Sequence, residues 1–442
     1  MTHVFYRNPH ASYPRAVRGD GIYIYDNQGK QYLDASGGAA VSCLGHSNQA
    51  VRTAIKNQVD QIAYAHSGFF TTDVMEELAT RLISHVPGEM DKVYFVSGGS
   101  EAVEAALKLA RQYFTELGQD QRRFFIARKQ SYHGNTLGAL AVGGNEWRRK
   151  QFKPLLVDIK HISPCYAYRL QDCAETESDY SRRMADELET MIQQMGAENV
   201  IGFICEPVVG ATLGAVPATQ GYLKRVREIC NQYGILLILD EVMCGMGRTG
   251  YFFAHEEDGI EGDIVTIAKG LGAGYQPIGA TLVNKKVFDV IYNGSGYFQH
   301  GHTYMGHATA CAASLAVLNT IEQNNLLKNV QTLGELLQTE LEKEFSEHPF
   351  IGDIRGRGLF RGIEFVKDRI SKTTFDPGLK INSRFKQIAM QNGLICYPMG
   401  GTIDGINGDH TLLAPPFIIN ESQIDEVISR LRQTADTVFN SV

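Results

Sequence analysis

The sequence predicts an α/β protein: a large domain with a mostly parallel sheet covered by helices, and a smaller α+β domain assembled from both chain ends. Three observations predict it. Between residues 70 and 310, short apolar runs of strand length alternate with helical patterns, as in sheets buried on both faces. After residue 305 that alternation gives way to a small-residue helix and then a polar amphipathic one. The 442 residues also suffice for one large domain and one smaller one.

Taken in order, residues 21–34 form two short alternating strands around Asn27-Gln28-Gly29, with glycine where a hairpin turn needs positive φ. A glycine-rich stretch, Ser36-Gly37-Gly38, precedes a helical pattern over 48–63. Strands are expected at 92–96, 123–127, 200–205, 235–240, 263–268 and 280–283. Helices follow at 307–323 and 326–347, then strand-like segments within 351–364 and a last helix over 421–439. On this pattern residues 70–310 make the large domain, 1–69 with 325–442 the small one, and 311–324 a connecting helix. No internal repeat is evident.

Charge and cysteine content narrow the function. Lys plus Arg number 42 against 49 Asp plus Glu, a net −7 that gives no electrostatic reason to expect nucleic acid or an anionic membrane as partner. The short run Arg148-Arg149-Lys150 reads as a solvated face. The eight cysteines, Cys43, Cys165, Cys173, Cys205, Cys230, Cys244, Cys311 and Cys396, form no Cys-x-x-Cys pair and sit in apolar sequence. They read as buried free thiols of a reducing compartment, not as a disulfide framework or zinc site. The N-terminus lacks a signal core or transit pattern, and the longest aliphatic run, 235–239, is too short to span a bilayer. A cytoplasmic location is expected.

Four segments carry chemistry. The buried strand at 235–240 ends in Asp240-Glu241, and the next, at 263–268, ends in Lys269-Gly270, at carboxyl ends where open α/β sheets place ligands. Neighbouring strand tips would bring a carboxylate and a lysine into one pocket; the lysine is either a surface residue or a nucleophile activated by desolvation. Second, Ser97-Gly-Gly-Ser100 leads from a strand into a helix with apolar Val103, Ala106, Leu107, Ala110, Phe114 and Leu117. Its N–H groups could cradle a phosphate, or Ser100 could simply cap the helix. Third, Tyr132-His133-Gly134 offers an aromatic surface for a heteroaromatic ring. Fourth, His300, His302 and His307 cluster without a carboxylate or cysteine, so no metal is expected.

Together these segments resemble the class III (ω-type) aminotransferases of pyridoxal-phosphate (PLP) fold type I. The likeness runs from Asp26-Asn-Gln-Gly-Lys-Gln-Tyr-Leu-Asp34 to Pro415-Pro416. It is most specific in Leu239-Asp-Glu-Val-Met-Cys-Gly-Met-Gly-Arg-Thr-Gly250, followed by Ala268-Lys-Gly-Leu271. The resemblance implies a PLP enzyme in which Lys269 is the Schiff-base lysine and proton carrier, and Asp240 pairs with the pyridine nitrogen. It implies that Gly99 and Ser100 cradle the phosphate, that Tyr132 stacks on the ring with His133 beside it, and that Val242 touches the opposite face. Glu206 becomes a carboxylate near the substrate, with a strand-closing salt bridge as its structural alternative. Thr303 is implied to reach the phosphate of the neighbouring subunit, hence an obligate homodimer with shared active sites, or a tetramer built from it.

Two departures matter. Many relatives place, where this chain has Met243, a Gln that bonds the cofactor's phenolic oxygen, and many acting on α-amino acids place a carboxylate-clamping Arg where it has Leu412. The expected reaction is therefore transfer from an ω-amino acid or amine to a 2-oxo acid such as pyruvate. Arg148 is another candidate carboxylate ligand, with a purely structural role as its alternative. The same framework also supports aminomutases and decarboxylases. A non-catalytic scaffold is disfavoured by the joint presence of Lys269, Asp240, the phosphate turn and Tyr132.

Overall fold

A seven-stranded sheet organises the larger part of the computed structural model, which describes residues 2–440. Its spatial order is Met90–Val96, Gly279–Asn284, Ile264–Ile267, Leu236–Asp240, Val200–Cys205, Phe124–Arg128 and Lys160–Ile162. Neighbouring strands run parallel except around Gly279–Asn284, which is antiparallel to both partners. The mostly parallel sheet is as the sequence predicts, and six strands lie within two residues of expectation. The seventh, Lys160–Ile162, has three residues and leaves no periodic signature.

Alternation along the central strands explains the layers. Leu237, Leu239, Val265 and Ile267 enter one apolar cluster with Tyr180, Leu188, Leu223 and Val226 from the helices Glu177–Met195 and Tyr222–Tyr233. Leu236, Ile238 and Ile264 enter another with Val103, Ala106, Phe114, Val287 and Ile291 from the helices Gly99–Glu116 and Lys285–Asn293. Burying each such side chain contributes roughly 1.5–3 kcal/mol, so the strands are fixed from both faces and only their tips stay available. Leu117, expected on the apolar stripe, is instead the exposed C-cap of its helix.

The N-terminal hairpin pairs Tyr23–Asp26 with Gln31–Asp34. Gly29 takes φ +82°, and the Asp26 carboxylate closes the turn by accepting from the Gln28 and Lys30 amides. Leu33 then pairs with Leu394, so both chain ends share a four-stranded sheet. A second four-stranded sheet joins Ile351–Arg357, Phe360–Phe365, Asp409–Leu413 and Tyr397–Gly400. Glu421–Phe439 is helical as predicted, started by a capping box between Asn420 and Gln423. At the heart of the second sheet the fully buried Glu364 accepts from Arg169 and Arg355, each at 2.6 Å. Arg355 also donates to the carbonyls of Leu213 and Gly214, clasping that sheet to the 210–217 segment.

Seven cysteines are buried; Cys173 is exposed, against expectation. Among the described residues no helix is long and apolar enough to cross a membrane.

Candidate active site

The parallel register sets Asp240 opposite Thr266, three residues before Lys269. Both strand tips open on a cavity of about 450 Å³ that also gathers Ser97, Ser100, Tyr132, His133, Glu206 and Val242. The tip residues foreseen from the sequence thus converge from five strand ends onto one space.

Lys269 leaves its strand in the left-handed region, φ +44°, a conformation that costs a non-glycine residue about 1–2 kcal/mol and here turns the side chain into the cavity. Burial pushes its amine down to about 8, against the opposing pull of the Asp240 and Glu206 charges. Near neutral pH it therefore holds a usable fraction of free amine, which the same side chain in water would not.

Asp240 is buried and held on both oxygens. His133 Nδ1 lies 2.7 Å from Oδ2, and the Val242 amide donates to Oδ1 at 3.0 Å. The other ring nitrogen, His133 Nε2, is buried without a partner. Glu206 is buried too; Oε1 accepts from the Tyr132 amide at 3.4 Å while Oε2 has no partner. Desolvation, reinforced by the Asp240 charge, raises the Glu206 carboxyl above the usual range. The strand-closing salt bridge does not form: Arg128 donates to the Glu206 backbone carbonyl instead.

The turn after Met90–Val96 corrects the capping alternative. The helix begins at Gly99 with Gly98 as N-cap, and no side chain caps it. Ser100 lies inside the first turn, where its hydroxyl bonds to the Asn135 side chain at 2.9 Å and accepts from the Asn135 amide at 3.0 Å. Two glycines make this packing feasible. A Cβ on Gly99 would stand 2.7 Å from Val242 Cγ1, and one on Gly134 would stand 2.6 Å from Ser100 Oγ. The uncapped N-terminus of an 18-residue helix, facing the cavity, is suited to an anion.

Thr303 is exposed and does not line this cavity; its carbonyl accepts from the Tyr64 hydroxyl at 2.8 Å. It does not cap the following helix, whose N-cap is His307. No metal-binding group of histidines, cysteines and acids occurs among the described residues. Met243 lines the cavity, while Leu412 is buried in Asp409–Leu413. Sequence reasoning did not single out Val41, Ala211, Gln276 or Ile278, which also line it. They come from loops with no local signature beyond nearby glycines.

This donor set fits PLP. It offers a free amine, a fixed carboxylate for a ring nitrogen, an anion-receiving helix end, an aromatic face, and two buried polar atoms with unmet bonding capacity.

Comparison with known proteins agrees. The class III aminotransferase family model matches residues 6–435. An uncharacterized aminotransferase of Schizosaccharomyces pombe is 43% identical, the match covering 98% of this chain and 94% of that one. Gamma aminobutyrate transaminase 3 of Solanum lycopersicum is 35% identical over 96% of this chain and 81% of its own length. The crystal structure of an omega transaminase from Pseudomonas jessenii in complex with PMP superposes with a TM-score of 0.93 at 32% identity, covering 99% and 97% of the two chains.

Proposed function

The chain belongs to the class III aminotransferases, PLP enzymes of fold type I, and on that footing we propose that it moves the amino group of an ω-amino acid or amine to a 2-oxo acid such as pyruvate. Bound PLP supplies the electron sink that makes the hydrogen on the donor's amine-bearing carbon acidic. The protein's part is positional and protonic. Lys269 anchors the cofactor and is the base that takes and returns that proton, a role favoured by its depressed amine. Asp240, fixed by His133 and the Val242 amide, keeps a ring nitrogen protonated. Tyr132, Val242 and His133 would hold the ring, and Glu206 would lie near the substrate. Gly99 and Ser100 receive the phosphate.

The single observation that carries the chemistry is the Lys269 amine and the Asp240 carboxylate in one cavity at adjacent strand tips. The donor class rests on Leu412, apolar where the clamp for α-amino acids would be an arginine. The names of the tomato and Pseudomonas relatives point the same way. We also take the enzyme to be cytoplasmic, in keeping with its free cysteines, and a homodimer, supported by the position of Thr303 outside its own chain's cavity. Its division into a large domain, 70–310, and a small one from both chain ends is supported by the pairing of Leu33 with Leu394. A screen of amino donors against pyruvate and 2-oxoglutarate tests the reading. Turnover of ω-amino acids or amines is expected; turnover confined to α-amino acids with 2-oxoglutarate would overturn the donor class.

A further inference from the structure

We propose that Arg148 is the carboxylate receptor of this site, binding the carboxylate of an amino-acid donor at the edge of the cavity beside Tyr132. The inference rests on the aminotransferase reading and narrows it, from amines in general to donors that carry an acid group.

The backbone around Arg148 is fixed. It lies in the short helix Glu146–Arg149, whose cap Asn145 accepts from the Arg148 amide at 3.2 Å and donates to Gln130 Oε1 at 3.0 Å. Gln130 in turn donates to the carbonyls of Gly401 at 2.7 Å and Thr402 at 3.1 Å. Three segments distant in sequence thus hold Arg148 against the turn that presents Tyr132. Packing adds to this, since a Cβ on Gly405 would stand 2.9 Å from the Trp147 amide nitrogen.

The guanidinium, by contrast, is unspent. Its carbon lies 4.6 Å from the centroid of the Tyr132 ring, which borders the cavity. Its charge is close enough to Lys269 to help depress the amine. Among the described residues no acid pairs with it, its guanidinium makes no hydrogen bond, and Nε is buried without a partner. Other buried arginines end on acids: Arg355 on Glu364 and Asp353, and Arg357 on Asp258. A half-buried fork with free N–H groups is incomplete without an acceptor of matching geometry, and a carboxylate provides two parallel oxygens. Leu412 cannot perform that role, and the acids of the cavity, Asp240 and Glu206, would repel a second carboxylate. The bland alternative is that Arg148 only steadies Tyr132 through its ring face.

Full-length, PLP-loaded wild type, Arg148→Gln and Arg148→Lys separate these. The first readout is the ratio of donor kcat/KM values for 4-aminobutanoate and butylamine with pyruvate. The two donors differ in the carboxylate alone, so a general loss of activity cancels. We expect the ratio to fall at least about tenfold in Arg148→Gln, through KM, and less in Arg148→Lys. The second readout is butanoate binding measured by calorimetry, expected at least about tenfold weaker in Arg148→Gln. An unchanged ratio, both donors falling together, overturns the proposal and leaves Arg148 as a support for Tyr132. Equal butanoate binding by wild type and Arg148→Gln, or none by wild type, overturns it as well. If wild type transaminates no donor while butanoate binding still depends on Arg148, the aminotransferase reading fails and the receptor stands.

Discussion

His133 and Asp240 are joined by a 2.7 Å hydrogen bond between two buried side chains. The bond holds the carboxylate in a fixed orientation at the edge of the cavity. It joins the turn after Phe124–Arg128 to the tip of Leu236–Asp240, two strands that do not pair directly.

Asp240→Asn tests what the carboxylate's charge does. The amide keeps the shape and can still accept from His133, but it cannot hold a ring nitrogen protonated. Expected is a protein that folds, binds PLP and loses well over tenfold in kcat, the scale of lost electrostatic contributions at reacting centres. Single-turnover rates within about tenfold of wild type would contradict the assignment.

Lys269→Ala should abolish turnover and all PLP that borohydride can fix to the chain, while the fold persists. The wild-type amine adds a pH test. Because burial lowers it to about 8, the free amine accumulates as pH rises toward that value. The rate at which the cofactor-free protein takes up PLP should climb through a half-maximum near pH 8 and level above it, where an exposed lysine would continue to rise toward its ordinary range. Stopped-flow absorbance reads this directly, and a rate flat between pH 6 and 9 would sink it.

How far the site was legible follows from what each residue depends on. Asp240 and Lys269 could be found because a strand buried on both faces is an unbroken apolar run, so its first charged residue marks its tip. The reversed direction of Gly279–Asn284 could not, since both directions have the same side-chain period. Ser100 was visible as a helix-start residue, but its hydroxyl goes to Asn135, 35 positions away, and no local pattern encodes that. The relation of Arg148 to Tyr132 is hidden for the same reason, depending on Gln130 reaching a loop 271 residues on.

Glu364→Gln concerns stability. Removing this carboxylate leaves Arg169 without its acid and Arg355 with Asp353 alone, and breaking such a buried pair costs about 3–5 kcal/mol. The two guanidinia hold the Glu364 carboxyl below its ordinary range despite burial. A carboxyl lowered in the folded state contributes stability that is complete above its unfolded pKa and lost as pH falls through the folded one. Wild type should therefore weaken in urea titrations as pH drops below the ordinary glutamate range, about 4.3, and the variant should weaken less over the same interval. Parallel acid profiles for the two proteins would refute the linkage.

Thr303 offers a test of assembly. If it reaches the cofactor phosphate of a partner, each site is built from two chains and the monomer is inactive. Two structural facts favour this: Thr303 does not line its own chain's cavity, and it does not cap the helix that follows. The segment around it is largely exposed; the Thr303 carbonyl accepts from the Tyr64 hydroxyl and the His300 carbonyl from the Tyr94 hydroxyl. A mixed-dimer experiment isolates the question. Chains carrying Lys269→Ala and chains with a disabling substitution at Thr303 are each inactive alone. In a mixed dimer with shared sites, one site collects both lesions, because the alanine chain receives its phosphate contact from the defective Thr303 chain. The other site has an intact Lys269 and an intact threonine from the alanine chain. Activity should therefore reappear on mixing, approaching half a wild-type site per chain in purified mixed dimers. If purified mixed dimers stay inactive, Thr303 acts within its own subunit and the shared-site arrangement is wrong.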